Sequence, residues 1–330
     1  MFNRIAVIGA GIMGNGIAQV IGTAGIPVNL YDIHQESLDK ASSTIEKNLD
    51  LMIQQSVLAK EEKPLILKRI SYTTDLQECL SQCDMVIEVV PEILELKQTL
   101  YRQIEKNVKD HVIIASNTSA IPLTELTQQA KIPDRFIITH FMNPAPLIPL
   151  VEIISQEQTN VDVIDQTIQF IKKIGKSPVR LKKEIPGAVV NRLQAALLRE
   201  AFHLVEQDIV SLQEIDQIIK DGPGFRWAFI GPMQMVDLGG LDTWKRIMDH
   251  LSPELENSKT CSSLVQELVE NGRLGTKTGK GIYDYDDELI EQITFERDQD
   301  FIKLLKVRNP VNRGNASEES GKTDPHSAKV

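Results

Sequence analysis

His140 and Glu152 are the two side chains whose types and spacing best suit proton transfer. His140 follows the apolar run FIIT, Glu152 stands inside the run LVEII, and three prolines make the connection between them a stiff turn. Oxidising a secondary alcohol needs a base for the hydroxyl proton while hydride leaves carbon, and imidazole, which titrates near neutral pH, suits that task. A carboxylate on the other ring nitrogen would fix the tautomer and stabilise the imidazolium. On spacing alone, a hydrogen-bonded strand-end histidine and a surface glutamate on an edge strand are an equally weighted alternative.

A glycine-rich turn near the N-terminus predicts a dinucleotide site. Residues 9–14 read GAGIMG, a GxGxxG that follows the strand-like run IAVI and leads into a helical stretch. Gly9 would allow the tight turn, Gly11 would let the backbone approach a pyrophosphate, and Gly14 would permit close packing of helix on strand. The helix N-terminus then faces the phosphates with its partial positive charge.

Asp32 completes this fingerprint and indicates which cofactor binds. It ends the next strand-like run, 18 residues after Gly14, where a carboxylate accepts hydrogen bonds from the adenosine ribose. No Arg or Lys follows at 33 or 34 to receive a 2′-phosphate, so NAD is favoured over NADP. Ile12 and Met13 belong to the same predicted cofactor-binding turn. The alternative is a purely structural glycine turn.

The elements that must position these residues alternate between strand and helix through the first 185 residues. Several strand-like runs are continuous in Val and Ile, as in strands buried on both faces of a parallel sheet. We therefore predict a Rossmann-type doubly wound α/β domain at 1–185, with a helical insert at 35–69 interrupted at Pro64. The predicted strands are 4–8, 28–31, 85–89, 112–116, 136–140, 151–154 and 178–181.

From Pro186 onward the apolar residues recur at helical spacing, which predicts an all-α C-terminal domain at 186–308. Ser211 with Glu214 is the signature of a capping box that opens one of its helices. Residues 309–330 contain almost no apolar side chains and are predicted to be a disordered tail.

Composition excludes several other classes. The net charge is −10 and Lys and Arg are not clustered, so binding to nucleic acid is not expected. The apolar stretches are too interrupted to span a membrane, and the N-terminus shows neither a charged leader nor a cleavage site. Cys79, Cys83 and Cys261 form neither a CxxC pair nor an even framework. Reduced thiols, a cytoplasmic location and no metal site are therefore predicted.

Together, several motifs resemble the 3-hydroxyacyl-CoA dehydrogenase family in their order along the chain. They cover residues 4 to about 286, and as a set they are far more specific than any one alone. The motifs are GxGxMGxGIA, VIEVVPE, ASNTS, HFMNPAP, LVEII, PGAVVNRL, GLD and GKGIYDY.

The resemblance implies roles for residues around the histidine. It makes His140 the general base, Glu152 its carboxylate partner and Asn191 a residue that positions the site. Ser119 and Asn143 would contact the reacting oxygen of the substrate and the histidine region.

The resemblance also implies the cofactor contacts and the assembly. Glu92 and Lys97 would lie near the nicotinamide end of NAD, and Asn117 and Asn143 are included among the cofactor-binding residues. Family members typically form homodimers through the helical domain. A role in fatty acid metabolism, with a small-molecule substrate, follows from the same resemblance.

The substrate implied first is a 3-hydroxyacyl-CoA, such as 3-hydroxybutyryl-CoA, oxidised to the 3-ketoacyl-CoA. In typical acyl-CoA members the insert after the ribose-binding acid carries lysines that meet the CoA phosphates. Here the segment 35–69 contains six basic and six acidic residues, so a polyanion would find little attraction.

The alternative is a small free 3-hydroxy acid of the L-gulonate or carnitine type. The segments IPLVE at 148–152 and GPGFRWAFIGPM at 222–233 resemble the branch that holds L-gulonate 3-dehydrogenase, and Arg226 would there bind a substrate carboxylate. A structural ion pair is the other interpretation of Arg226. Because RLGTKTGKGIYDY at 273–285 is the ending usual in acyl-CoA members, the thioester stays first.

Three other classes of protein fit the sequence less well. The β-hydroxyacid dehydrogenases use a lysine on the first helix of the second domain, where this chain has Asn191 and Arg192. A non-catalytic NAD-binding protein would not need both His140 and Glu152. A dinucleotide-sensing regulator would show a DNA-reading helix or a basic face, and neither is apparent.

Overall fold

One eight-stranded sheet organises the first half of the chain. The computed structural model describes residues 2–308, so the tail predicted at 309–330 lies outside the described residues. The strand order is β3-β2-β1-β4-β5-β6-β7-β8, which contains the order of a doubly wound nucleotide-binding sheet and confirms the predicted fold class. The strands are β1 (Ile5–Ile8), β2 (Val28–Tyr31), β3 (Ile70–Thr73), β4 (Met85–Glu88), β5 (Ile113–Ser116), β6 (Phe136–Phe141), β7 (Leu150–Ile154) and β8 (Ser177–Arg180).

Helices cover the sheet, and further helices follow it in the described part of the chain. Those of the sheet domain are α1 (Ile12–Thr23), α2 (Gln35–Gln54), α3 (Glu62–Arg69), α4 (Leu76–Leu80), α5 (Leu94–Asn107), α6 (Leu123–Leu126) and α7 (Val161–Lys173). After the sheet follow α8 (Val190–Glu206), α9 (Leu212–Ile219), a π-helical turn at Lys220–Gly224, α10 (Phe225–Trp227), α11 (Pro232–Gly239), α12 (Leu241–Leu251), α13 (Ser263–Glu270) and α14 (Asp287–Arg308). The predicted capping box of Ser211 and Glu214 is present at α9.

The core lies on both faces of the sheet. In β1, Ile5 and Val7 belong to one buried cluster, while Ala6 and Ile8 belong to another. This follows from strand geometry, in which successive side chains point to opposite faces. Because helices cover both faces, the strand is apolar at every position rather than at every second one.

Two details of the insert and of the segment just after it differ from the sequence prediction. The interruption predicted at Pro64 is wrong, because α2 ends at Gln54 and α3 begins at Glu62, with Pro64 in its first turn. Proline is tolerated there because the first N–H groups of a helix have no partner within the helix. Strand β3 was not predicted. It lies at the edge of the sheet and Ile70 is its only buried residue, so its apolar signal is weak.

The sheet is parallel except where β7 runs antiparallel to β6. The eight residues 142–149 between these two strands are too few for the crossover that a parallel pair requires. In the resulting register His140 lies directly opposite Glu152. The turn therefore makes the two residues cross-strand neighbours on one face.

The helices after the sheet leave much apolar surface exposed. Ala201 is the one buried residue of α8, and the described helices from α9 to α13 have none. Among them, Phe225, Met233, Leu238 and Leu241 are between 65% and 78% exposed. No helix in the described part of the chain is long and apolar enough to cross a membrane.

Helix α14 returns to the sheet domain. Its Ile302 is buried, and its Lys306 ammonium donates to the carbonyl oxygen of Gln55 at the end of α2. The gap between α14, α2 and the loop after β6 has a volume of only about 20 Å³ and is lined in part by Met52 and Pro146. The last described helix thus packs closely against the cofactor-binding half of the molecule.

Candidate active site

The structure brings His140 and Glu152 together in a buried pair. His140 Nδ1 lies 2.9 Å from Glu152 Oε2, and the two residues are 4% and 2% exposed. We assign the proton to Nδ1, because a carboxylate oxygen can only accept. The other ring nitrogen, Nε2, then presents a lone pair. This is the arrangement of a general base held by a carboxylate.

Glu152 also contacts the first helix of the helical half. Its second oxygen, Oε1, accepts hydrogen bonds from the backbone N–H groups of Val189 at 2.9 Å and Val190 at 3.1 Å, at the start of α8. Val189 provides no side-chain cap of its own. The carboxylate therefore caps α8 from outside, where the helix dipole favours a negative charge. One buried side chain joins the imidazole to the helical half.

The glycine turn between β1 and α1 has the shape that a dinucleotide pyrophosphate requires. Gly9 has φ +108°, in the left-handed region that favours glycine, and a Cβ on Gly14 would lie 1.8 Å from the Gly9 carbonyl oxygen. A Cβ on Gly11 would meet nothing within 4 Å, so the space above the turn is open. Ile12 is exposed at the first turn of α1 and Met13 is half-buried beside it. These residues fit NAD at the helix N-terminus.

Asp32 lies just after β2, at the same edge of the sheet. Its Oδ2 accepts from the Ala10 N–H at 2.9 Å, and its Oδ1 accepts from the His34 N–H at 3.0 Å. The side chain is half-buried, so its carboxylate is fixed against the glycine turn while one face remains open. That position suits a contact with ribose hydroxyls.

A second buried acid, Glu88, links β4 to α5 and β5 at this edge of the sheet. It is 0% exposed at the end of β4 and bonds the Lys97 ammonium at 2.7 Å, the Tyr101 hydroxyl at 2.6 Å and the Ser116 hydroxyl at 2.7 Å. Burial raises the pKa of Tyr101 well above its usual value, and the Glu88 charge adds to the effect. Both carboxyl oxygens of Glu88 therefore have hydrogen-bond partners.

Lys97 and Glu92 were both predicted near the nicotinamide. Lys97 is 1% exposed, and its ammonium lies between Glu88 and Glu92, 3.2 Å from the latter. Glu92 is partly exposed and accepts from the hydroxyl of Thr118 and from the N–H groups of Ser119 and Ala120 at 3.0 Å. Burial alone would raise the pKa of Glu92, but these hydrogen bonds and the Lys97 charge lower it. Glu92 holds the loop 118–120, and Lys97 holds Glu92.

Four predicted polar residues lie in the loops after β5 and β6 and at the start of α8. Asn117 follows β5, and its Oδ1 accepts from the Phe141 N–H at 2.8 Å, which ties the end of β5 to the end of β6. Ser119 and Asn143 are exposed in the loops after β5 and β6. Asn191 lies in the first turn of α8, one residue after Val190.

Arg226 is the predicted site residue that the structure leaves apart from the others. It is exposed in α10, beside Phe225 and Trp227. No described hydrogen bond or ion pair joins its guanidinium to another described residue, so the structural ion pair considered from the sequence is not seen. Its substrate role stays a prediction.

Sequence reasoning missed Glu88 and Lys176. Glu88 carried the same signal as Glu152, an acid inside an apolar strand, in the motif VIEVV. Lys176 lies just before β8 and carried no signal, because a lysine between a helix and a strand is usually exposed. Among the described residues, no group of His, Cys, Asp and Glu side chains could hold a metal ion. The cysteines are unpaired: Cys79 and Cys83 are buried, and Cys261 is exposed.

The fold and the site define a class. A doubly wound sheet, a glycine turn with an acid after the second strand, and a buried His–Glu pair at the carboxyl edge are the parts of an NAD-dependent dehydrogenase.

Comparison with family models identifies the family. Residues 4–185 match the 3-hydroxyacyl-CoA dehydrogenase NAD-binding domain, and residues 187–285 match the 3-hydroxyacyl-CoA dehydrogenase C-terminal domain. The chain belongs to the 3-hydroxyacyl-CoA dehydrogenase family, and it is an oxidoreductase that uses NAD.

Two curated relatives differ in how much of the chain they match. A 5-formyl-3-hydroxy-2-methylpyridine 4-carboxylate 5-dehydrogenase of Mesorhizobium japonicum is 33% identical over 308 residues, 93% of this chain and 98% of the relative. A probable 3-hydroxybutyryl-CoA dehydrogenase of Deinococcus radiodurans is 38% identical over 283 residues, 86% of this chain and 100% of the relative.

Two solved structures likewise differ in how much of this chain they match. The structure of a 5-formyl-3-hydroxy-2-methylpyridine 4-carboxylic acid 5-dehydrogenase has a TM-score of 0.87 at 31% identity, covering 94% of this chain and 99% of that one. The structure of (S)-3-hydroxybutyryl-CoA dehydrogenase from Ralstonia eutropha has a TM-score of 0.72 at 37% identity, covering 87% and 100%.

Proposed function

We propose that this protein oxidises the 3-hydroxyl group of a 3-hydroxyacyl-CoA with NAD, and that His140 is the general base. The observation that supports this most strongly is the buried His140–Glu152 pair, with Nδ1 and Oε2 2.9 Å apart. The pair lies on strands whose connecting loop packs against α1, since a Cβ on Gly16 would lie 2.9 Å from Pro146 Cδ. The base and the cofactor turn are therefore parts of one packed unit.

The proposed mechanism assigns one proton to each side of the imidazole. Nε2 takes the hydroxyl proton as the carbon–hydrogen bond breaks, and the Nδ1 proton stays on the bond to Glu152. The imidazolium that forms is stabilised by the Glu152 carboxylate, whose other oxygen accepts from the start of α8. Bound NAD supplies the hydride acceptor.

The surrounding polar residues have proposed roles that follow from their positions. Ser119 and Asn143, exposed in the loops after β5 and β6, contact the reacting oxygen. Asn191, on the first turn of α8, positions the site from the helical half. Glu92 and Asn117 keep the loop after β5 in place beside the cofactor, and Lys97 acts through Glu92.

A second candidate substrate is a small free carboxylate, and helix α14 favours it. The match to the pyridine carboxylate dehydrogenase covers 308 of the 330 residues, which leaves at most 22 residues unmatched. Because 22 residues follow Arg308, the match includes α14 even if every unmatched residue lies at the C-terminus. The Deinococcus relative is matched over its whole length by a shorter stretch. Helix α14 packs on α2 and carries six acids against four bases, which gives no attraction to a CoA polyanion.

The deciding experiment follows NADH absorbance with 3-hydroxybutyryl-CoA, L-gulonate, L-carnitine and the pyridine carboxylate side by side. We expect the thioester to give the highest kcat/KM. His140→Ala should lower turnover by about 10²–10⁴-fold while NADH binding survives, and His111→Ala, which removes an exposed histidine, should do neither. Strong activity on a free acid and none on the thioester would overturn the first substrate, and a fully active His140→Ala would overturn the base.

We also propose that the protein is a homodimer through its helical half. In one chain, Phe225, Met233, Leu238 and Leu241 are exposed together on α10 to α12, which is unusual for a stable monomer. A second copy would cover them with the same surface, as a two-fold dimer requires. A cytoplasmic location stays a prediction.

A further inference from the structure

A buried lysine outside the described site binds the loop that follows the catalytic histidine. Lys176, between α7 and β8, is 8% exposed. Its Nζ donates to the carbonyl oxygens of Ala145 at 2.5 Å, Pro146 at 3.1 Å and Ile148 at 2.9 Å. All three belong to the loop 142–149 between β6 and β7.

The composition of this loop explains why a lysine is needed there. Pro144, Pro146 and Pro149 have no backbone N–H, so the loop is short of donors for its own carbonyl groups. Leu147 and Ile148 donate both of their N–H groups to the Pro144 carbonyl at 3.0 Å. Buried carbonyls need partners, and an ammonium carries three donors, one for each of the three carbonyls that Lys176 contacts.

The ammonium is held by carbonyl dipoles rather than by an acid. The adjoining cavity of about 270 Å³ is lined by Gln19 and Thr23 of α1, Met52 of α2 and Lys173 of α7, and Lys173 is the one charged neighbour among its lining residues. Burial lowers the pKa of Lys176 to about 8. Burying an ammonium without an acid beside it destabilises the folded protein, and the hydrogen bonds from Lys176 to the loop offset this cost.

We propose that Lys176 is a positioning residue for the dehydrogenase reaction, and that it acts by holding the loop 142–149 in the shape that aligns Asn143 and the His140–Glu152 pair with the cofactor turn. The loop is pressed against α1 on one side, at Gly16, and bound by Lys176 on the other. This inference rests on the proposed function for its kinetic part only.

The test compares Lys176→Met with Lys173→Met. Both remove one positive charge from the same region, but only the first removes donors from the loop. We expect Lys176→Met to lower kcat by about 10- to 100-fold, because small misplacements of reacting groups cost this much, while the Kd for NADH stays within about twofold. Lys176→Gln, which keeps two donors, should be intermediate, and it serves if the methionine variant does not fold.

A pH profile adds a readout that a merely structural lysine would not change. Wild-type kcat should fall as pH rises through about 8, where Lys176 loses a proton and one carbonyl loses its donor. This alkaline limb should be absent from Lys176→Met and retained in Lys173→Met.

Hydrogen exchange tests the loop without any substrate. The amides of Leu147 and Ile148 should exchange faster in Lys176→Met than in wild type or Lys173→Met. Unchanged kcat and unchanged protection in Lys176→Met would overturn the proposal, as would an equal loss in Lys173→Met. Absence of dehydrogenase turnover in the wild type would instead overturn the proposed function, and the exchange result would still decide the loop contact.

Discussion

Replacing Glu152 by glutamine should separate the two contacts of this carboxylate. A glutamine has the same shape, but one of its oxygens becomes an NH₂ group. With the amide oxygen toward α8, the NH₂ faces His140 Nδ1, which must then accept, so Nε2 carries the proton and cannot act as a base. With the amide reversed, the NH₂ faces the N–H groups of Val189 and Val190, and both lose their acceptor.

The magnitude follows from these alternatives. The wrong tautomer should lower kcat by about 10³–10⁴-fold, equivalent to about 4–5.5 kcal/mol in the activation free energy. In the first orientation α8 still has an acceptor, now a neutral amide oxygen, and the free energy of unfolding falls by about 1 kcal/mol. In the reversed orientation the lost cap lowers it by about 2 kcal/mol.

The assay measures kcat at saturating substrate, NADH affinity by fluorescence and unfolding by urea. Glu157→Gln, an exposed acid just after β7, is the matched control and should leave all three unchanged. A Glu152→Gln enzyme that retains kcat within about threefold of wild type and also keeps the wild-type free energy of unfolding would refute the reasoning, because neither orientation of the amide allows both.

Two further predictions concern the cofactor and the assembly. Asp32→Ala should weaken NAD binding and relax the discrimination against NADP, since it removes the carboxylate that opposes a 2′-phosphate; unchanged selectivity in NAD and NADP titrations would remove Asp32 from the ribose contact. Met233→Asp, at a side chain 78% exposed, should convert a dimer to a monomer in sedimentation equilibrium, whereas Leu65→Asp on α3, also exposed, should not. A wild-type chain that sediments as a monomer would refute the proposed dimer.

Local spacing was sufficient to predict the cofactor turn and the His140–Glu152 pair as candidates. The glycine turn shapes the cofactor site with its own backbone, so the residues that form it are adjacent in the chain. The short proline-rich loop forces β7 to return beside β6, which brings a histidine and a glutamate 12 positions apart into one register. A slip of one residue would have turned Glu152 to the opposite face.

Only the tertiary structure decided what surrounds that pair. The second oxygen of Glu152 meets α8 across 37 residues of sequence, and Lys176 meets its loop across about 30. The contact of α14 with α2 spans 251 residues. Such contacts leave no periodic or spacing signal, because they depend on how separately formed elements pack. The sequence by itself therefore determined the chemistry that is available, and packing decided which backbone groups and helices hold it in place.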